Sequence, residues 1–184
     1  MTARRKLRVA AGLAAACILL AAAGTGAAAA PSGQARLAGS FAMSGVITRA
    51  RSIPGEHAGE KVSRTWVFNP SCASGPCDRI QLIRGRGRGL SRVAVTLRLR
   101  SPGYYTGAGT FYAPLRCAGR VHRPGERVHY TVAVRVTGTE LAGGQLVVSA
   151  VRATYASHRR DNLTPCVAVL GQADVARYRG QLTG

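Results

Sequence analysis

The stretch VHYTVAVRV, residues 128–136, decides the fold. Val128, Tyr130, Val132, Val134 and Val136 alternate with His129, Thr131, Ala133 and Arg135. Successive side chains of a β-strand point to opposite faces, so this period of two predicts a strand with one buried face and one wet face. Residues 93–99 repeat the pattern: Val93, Val95, Leu97 and Leu99 alternate with Ala94, Thr96 and Arg98, and Arg92 and Arg100 extend the polar side. Weaker strands are expected over 41–50, 65–69, 79–84, 110–116, 146–155 and 167–176.

Turn signals separate these segments. IPGE at 53–56, SPGY at 101–104 and RPGE at 123–126 each carry Pro then Gly in the middle. Proline presets the first central position of a type II turn, and glycine supplies the positive φ of the second. LAGGQ at 141–145 reads as a further hairpin connection. The polar segment RSIPGEHAGEKVSR, 51–64, is expected to be a surface loop. No comparable stretch shows a capped apolar period of 3.6, so helices are expected to be short or absent. Many short strands between Gly and Pro turns define an all-β fold, with about eight antiparallel strands in a meander. Such a meander closes as a barrel, lipocalin-like in form, or flattens as a sandwich.

The N-terminus is read apart from the fold. Arg4, Arg5, Lys6 and Arg8 precede an apolar run from Val9 to Ala23, and GTGAAAAP follows. This is the pattern of a secretory signal peptide, so residues 1–29 are expected to be a leader and 30–184 a single disulfide-stapled β-domain. The whole chain of 184 residues carries a formal charge of +19, and removing the leader's four basic residues leaves +15. Such a charge attracts polyanions, and the attraction weakens as salt rises. With 24 arginines among its 26 basic residues, the chain also fits a composition set by a GC-rich genome and a soluble surface.

Past the leader the cysteines are Cys72, Cys77, Cys117 and Cys166. An even number in an exported chain is read as two disulfides. The tight SGP turn favours Cys72 with Cys77 and leaves Cys117 with Cys166. A structural zinc site wants close-spaced pairs on both sides, and a redox centre wants C-x-x-C at a helix start. Neither pattern is present, and no metal or cofactor is expected.

The run RGRGRG at 84–89 falls between two strands and reads as a hairpin loop, with glycines for turning and arginines in water. Arg84, Arg86, Arg88 and Arg92 are candidates for a nonspecific grip on anions. Specific nucleic-acid recognition is not expected of so short a run in an exported chain. Trp66 and Phe68 share a strand face and are candidates to line a ligand cavity, beside the simpler reading of core packing. Tyr104, Tyr105 and Tyr112 lie near the SPGY turn as a possible sugar-stacking patch or as ordinary strand residues.

Catalytic motifs do not emerge. The sequence has no G-x-S-x-G elbow and no H-E-x-x-H pair, and in GEHAGEK at 55–61 Glu60 stands where a phosphate loop needs glycine. His57, His122, His129 and His158 are scattered, and no carboxylate spacing supports acid and base work.

The set RTWVFNPSC (64–72), GPC (75–77), FYAPLRCAGR (111–120), VRATY (151–155) and NLTPC (162–166) resembles a group of small secreted, disulfide-bonded β-proteins of high-GC Gram-positive bacteria. The resemblance covers most of the chain past the leader. It rests on cysteines, glycines and core aromatics, which are signatures of a fold. It implies an exported β-domain and carries over no catalytic or binding residue. The expected function is therefore a secreted or envelope-associated, noncatalytic binding domain for anionic envelope polymers or lipids, with no transmembrane span once the leader is removed. A barrel carrying a small apolar ligand and a secreted hydrolase using a histidine and a hydroxyl are the alternatives.

Overall fold

A computed structural model describes residues 34–53, 55–85, 92–117, 119–166 and 172–183. The expected leader, Arg86 and Arg88 lie outside the described residues. Eight strands follow one another: β1 Gly39–Arg51, β2 Lys61–Pro70, β3 Arg79–Arg84, β4 Val93–Ser101, β5 Tyr104–Cys117, β6 Arg120–Ala142, β7 Gln145–Asn162 and β8 Ala173–Thr183. Each is antiparallel to the next, and β1 also pairs with β8, which closes the sheet into a barrel. The described residues contain no helix.

The alternation that marks the strands also sorts inside from outside. On β6 the inward residues Val128, Tyr130, Val132 and Val134 are almost wholly buried, while His129, Thr131 and Arg135 face outward. Phe41, Met43, Trp66, Phe68, Ile80, Leu82, Leu97 and Tyr105 fill the interior from the other strands. Phe41 meets Phe68 edge to face at 5.2 Å, and Trp66 lies 5.2 Å from Tyr178. Burying each such side chain contributes about 1.5–3 kcal/mol, so this aromatic column is a main source of cohesion.

One end of the barrel is stopped by the chain that leads into β1. Leu37 is fully buried there, and Arg36 bridges to β7 through its N–H to the Leu146 carbonyl and its carbonyl to the Val148 N–H. The Arg36 guanidinium also donates to the Cys72 carbonyl at 2.9 Å, tying the first disulfide loop to the same end.

Three of the expected turns are placed as the sequence implies, and in the one at 53–56 Gly55 takes φ 80° and the Glu56 N–H donates to the Ile53 carbonyl at 3.3 Å. Gly103 takes φ 68° between β4 and β5, and Gly143 and Gly144 take φ 57° and 76° between β6 and β7. Two successive positive φ values make the twist that joins antiparallel strands in a two-residue hairpin. RPGE at 123–126 is different, because it lies inside β6 and turns nothing. Ala113 pairs with Glu126 and Leu115 with His122, so the segment is held in the ladder as a bulge. Gly125 is needed there for room, since a Cβ would sit 2.1 Å from the Leu115 nitrogen. Most strands are longer than their alternation suggests: β2 starts at Lys61, which cuts the expected loop of 51–64 to 52–60, and β8 runs to Thr183. Residues 167–170, where the expected last strand begins, lie outside the described residues.

Gly107 gives a test of how tightly β4 and β5 close. A Cβ there would stand 2.6 Å from the Thr96 carbonyl oxygen and 2.9 Å from Leu97 Cδ2. The oxygen belongs to the backbone and cannot swing away. Gly107→Ala is expected to cost about 1–3 kcal/mol, because inserted volume in a packed sheet forces the backbone apart. Thermal unfolding checks this, with a fall in Tm of roughly 2–4 °C per kcal/mol expected for a chain of this size.

Candidate anion-binding groove on the outer face

The register of five neighbouring pairs builds the site. Tyr104 on β5 is opposite Arg135 on β6, Arg135 opposite Arg152 on β7, Arg152 opposite Arg179 on β8, and Arg179 opposite Ser44 on β1, which faces Ser63 on β2. The next outward row runs Thr106, Ala133, Thr154, Arg177, Val46 and Lys61. Adjacent strands are about 4.8 Å apart, so Arg135, Arg152 and Arg179 stand as a rank of guanidinium groups across three strands. Like charges directly opposite in a sheet repel, by less than about 1 kcal/mol per pair in water.

The two rows line a groove of about 1100 Å³ on the barrel's outer face. A smaller recess of about 440 Å³, reaching Arg100, shares Tyr104, Ala133 and Thr154 with it. Lys61, Arg135, Arg152, Arg177 and Arg179 line the groove, and no carboxylate does. Among the described residues none of these five cations enters an ion pair. The Arg135 guanidinium lies 4.9 Å from the Tyr104 ring, which steadies one end of the rank.

Three of the chain's seven acids are engaged elsewhere. Asp161 accepts from Arg127, His129 and Arg159 on the outer surface at 2.7–3.0 Å. Those hydrogen bonds, that of His129 first, hold its carboxyl well below the usual carboxylate range. Glu126 and Asp174 face inward, where Arg160 bridges them at 2.5 and 3.5 Å. Ser157 donates its hydroxyl to the Asp174 carboxylate and accepts from the Asp174 N–H at 3.0 Å.

Of the expected anion grip, Arg86 and Arg88 lie outside the described residues, and the other two arginines part company. Arg84 faces the barrel interior and is 8% exposed, whereas Arg92 is exposed to solvent. The alternation of Ile80, Leu82 and Arg84 puts this arginine on the buried face of β3, where a loop reading places it in water. Trp66 and Phe68 are inward and fully buried, packed on one another and on Phe41 and Tyr178. Of the three tyrosines considered together, Tyr105 is buried, Tyr104 belongs to the groove and Tyr112 is exposed.

The cysteines pair as expected. Cys72 is joined to Cys77 with Cα atoms 5.6 Å apart, and Cys117 to Cys166 at 6.3 Å. His122 Nε2 lies 3.7 Å from the Cys166 sulfur. Cys117, His122 and Cys166 thus bring three potential metal-ligand atoms within 4.8 Å of one another, but the two sulfurs are bonded to each other in the disulfide.

Sequence reasoning missed the groove itself. Its signals are plain once the register is known: ARYRG at 176–180 alternates Arg177 and Arg179 with buried Tyr178 and Gly180, and Arg135 and Arg152 do the same on β6 and β7. What the sequence lacks is the offset between strands.

Two measurements test groups outside the groove. In the loop-entropy account the long disulfide contributes about 4 kcal/mol and the short one about 2 kcal/mol. Replacing Cys117 and Cys166 together by serine is therefore expected to lower the denaturant midpoint more than replacing Cys72 and Cys77. For Asp161, a folded carboxyl held below its unfolded value of about 3.9 adds stability that is complete above that value and is lost as pH falls through the folded value. Asp161→Asn is expected to flatten that acid limb in a stability-against-pH series, and an unchanged slope would deny the ion cluster its role. No family model matches the chain, and no curated protein or solved structure is significantly similar to it.

Proposed function

We propose that this chain is a noncatalytic binding domain that works outside the cytoplasm and holds an anionic polymer or anionic lipid surface of the cell envelope in its outer groove. The observation that carries the reading is the rank of Arg135, Arg152 and Arg179, flanked by Arg177 and Lys61, in a recess without a carboxylate. Guanidinium groups are planar forks that match phosphate and carboxylate oxygens in pairs. A rank of them at strand spacing fits a ligand with repeating charge better than a single small anion. Two further facts support it. The chain stays strongly basic when residues 1–29 are left out, and its two disulfides suit an oxidising compartment. Among the described residues no helix is long and apolar enough to cross a membrane.

Polyphosphate is a suitable probe for affinity against salt. Binding is expected to weaken steeply from about 0.05 to 0.5 M salt, because neutralised phosphates release their counterions. Arg152→Gln with Arg179→Gln is expected to reduce the slope of log K against log salt by roughly 0.7–0.9 for each phosphate that the variant no longer neutralises. Salt-independent binding, or a double variant with an unchanged slope, would remove the groove from the account. Retention of the protein on envelope material should follow the same salt dependence.

A further inference from the structure

The recess that adjoins the arginine rank differs in chemistry from the groove it joins. It shares Tyr104, Ala133 and Thr154 with the groove and extends over Thr106, Ala108 and Thr131. Register produces the change. Two positions along the strands from Arg135 and Arg152 stand Ala133 and Thr154, paired with each other, and Thr106 pairs with Ala133 on β5. Two positions further, Thr131 stands between Ala108 and Ala156. Across β5, β6 and β7 the outer face thus passes, within two rows, from arginines to small side chains that carry at most a hydroxyl. Among the residues that line the recess Arg100 alone is charged, and its Nε–H donates to the Thr106 hydroxyl at 2.8 Å.

We infer that, granted the anion-binding reading of the groove on which this rests, the recess receives the uncharged sugar unit of a sugar-phosphate polymer whose phosphates lie on Arg135 and Arg152. Thr131 and Thr154 are exposed, and a hydroxyl both donates and accepts, so it matches a sugar hydroxyl from either side. The small side chains leave the floor low. The recess of about 440 Å³ falls within the roughly 300–1,000 Å³ of small-ligand clefts. Tyr104 lines both hollows, and its ring lies 4.9 Å from the Arg135 guanidinium. A sugar against that ring therefore has its linked phosphate within reach of the arginine, and tyrosine offers it an apolar face with a polar tip. Polyphosphate carries charge at every unit and neither carbon nor hydroxyl, so it fills the rank and leaves the recess to water.

Three polymers separate the contributions: an oligomer of about six glucose units joined by phosphodiesters, polyphosphate of equal charge, and dextran, which has the sugar without the phosphate. Titrated into the full chain at about 0.15 M salt, the sugar phosphate is expected to bind at least about tenfold tighter than polyphosphate, and dextran to show no saturable binding below about 1 mM. Thr131→Tyr fills the recess, alters no charge and suits an exposed strand position. It is expected to bring the sugar phosphate down to the affinity of polyphosphate and to leave polyphosphate binding as it was. The inference is overturned if sugar phosphate and polyphosphate bind alike, if dextran binds as tightly as the sugar phosphate, if Thr131→Tyr holds the sugar phosphate like the wild type, or if phosphatidylglycerol vesicles bind more tightly at equal phosphate. Polyphosphate binding that ignores salt removes the groove reading and this one with it, whereas salt-dependent polyphosphate binding with no preference for the sugar phosphate removes this one alone. The comparison of polymers uses the unaltered protein, so it decides the matter even if Thr131→Tyr fails to fold.

Discussion

Every side chain on these strands must choose between two environments, and the choice alternates along the chain. A strand offers no third direction, so a residue that is wrong for its side cannot be moved without moving its neighbours. The period of two in residues 128–136 is therefore a constraint on the whole sheet. Through hydrogen bonding it passes from β6 to β5 and β7 and around the ring. Closure makes all inward faces share one interior. Trp66, Phe68, Tyr130 and Tyr178 meet there although they come from three strands far apart in sequence.

The same constraint explains where charge collects. With seven acidic residues against 26 basic ones, most arginines cannot be paired, and the outward positions receive them. Asp161 gathers two arginines and a histidine, and Glu126 and Asp174 share Arg160. The arginines of the groove stand in a rank because register places them there. Arg160 and Arg84 fall on inward positions, and Arg84 forms no ion pair among the described residues. Holding an unpaired charge inside costs several kcal/mol, and ring contacts of about 0.5–2 kcal/mol each offset part of that. A surface arginine carries no comparable penalty. The interior one is thus the more informative of the two about selection at its position.

How much of this was legible in the sequence depended on distance along the chain. Local alternation located β3 at its observed bounds and found β4 and β6, and the Pro-Gly and Gly-Gly pairs at 102–103 and 143–144 marked real connections. The RPGE segment carried the same letters as a turn, but pairing on both sides of it outweighed the local preference. Cysteine parity and the tight SGP spacing pointed to both disulfides. The arginine rank was illegible, because whether Arg152 faces Arg135 or its neighbour is settled by strand offset, which bulges near Tyr130 and Gly138 alter. Arg84 illustrates the opposite error. Its position in the alternation was readable, but the glycines that follow drew it into the loop.

The pairing of β1 with β8 has a consequence for how the molecule comes to exist. Ser40 meets Thr183, so the contact that completes the ring joins residues at opposite ends of the fold. Until β8 arrives, β1 and β7 both present unpaired backbone and a row of apolar side chains. Partly formed sheets with such edges associate with one another readily. Pairings this remote in sequence also form slowly, since chain entropy is lost before they can stabilise anything. Arg152 lies on one of those edges, and a charged side chain along an exposed edge opposes its pairing with another sheet.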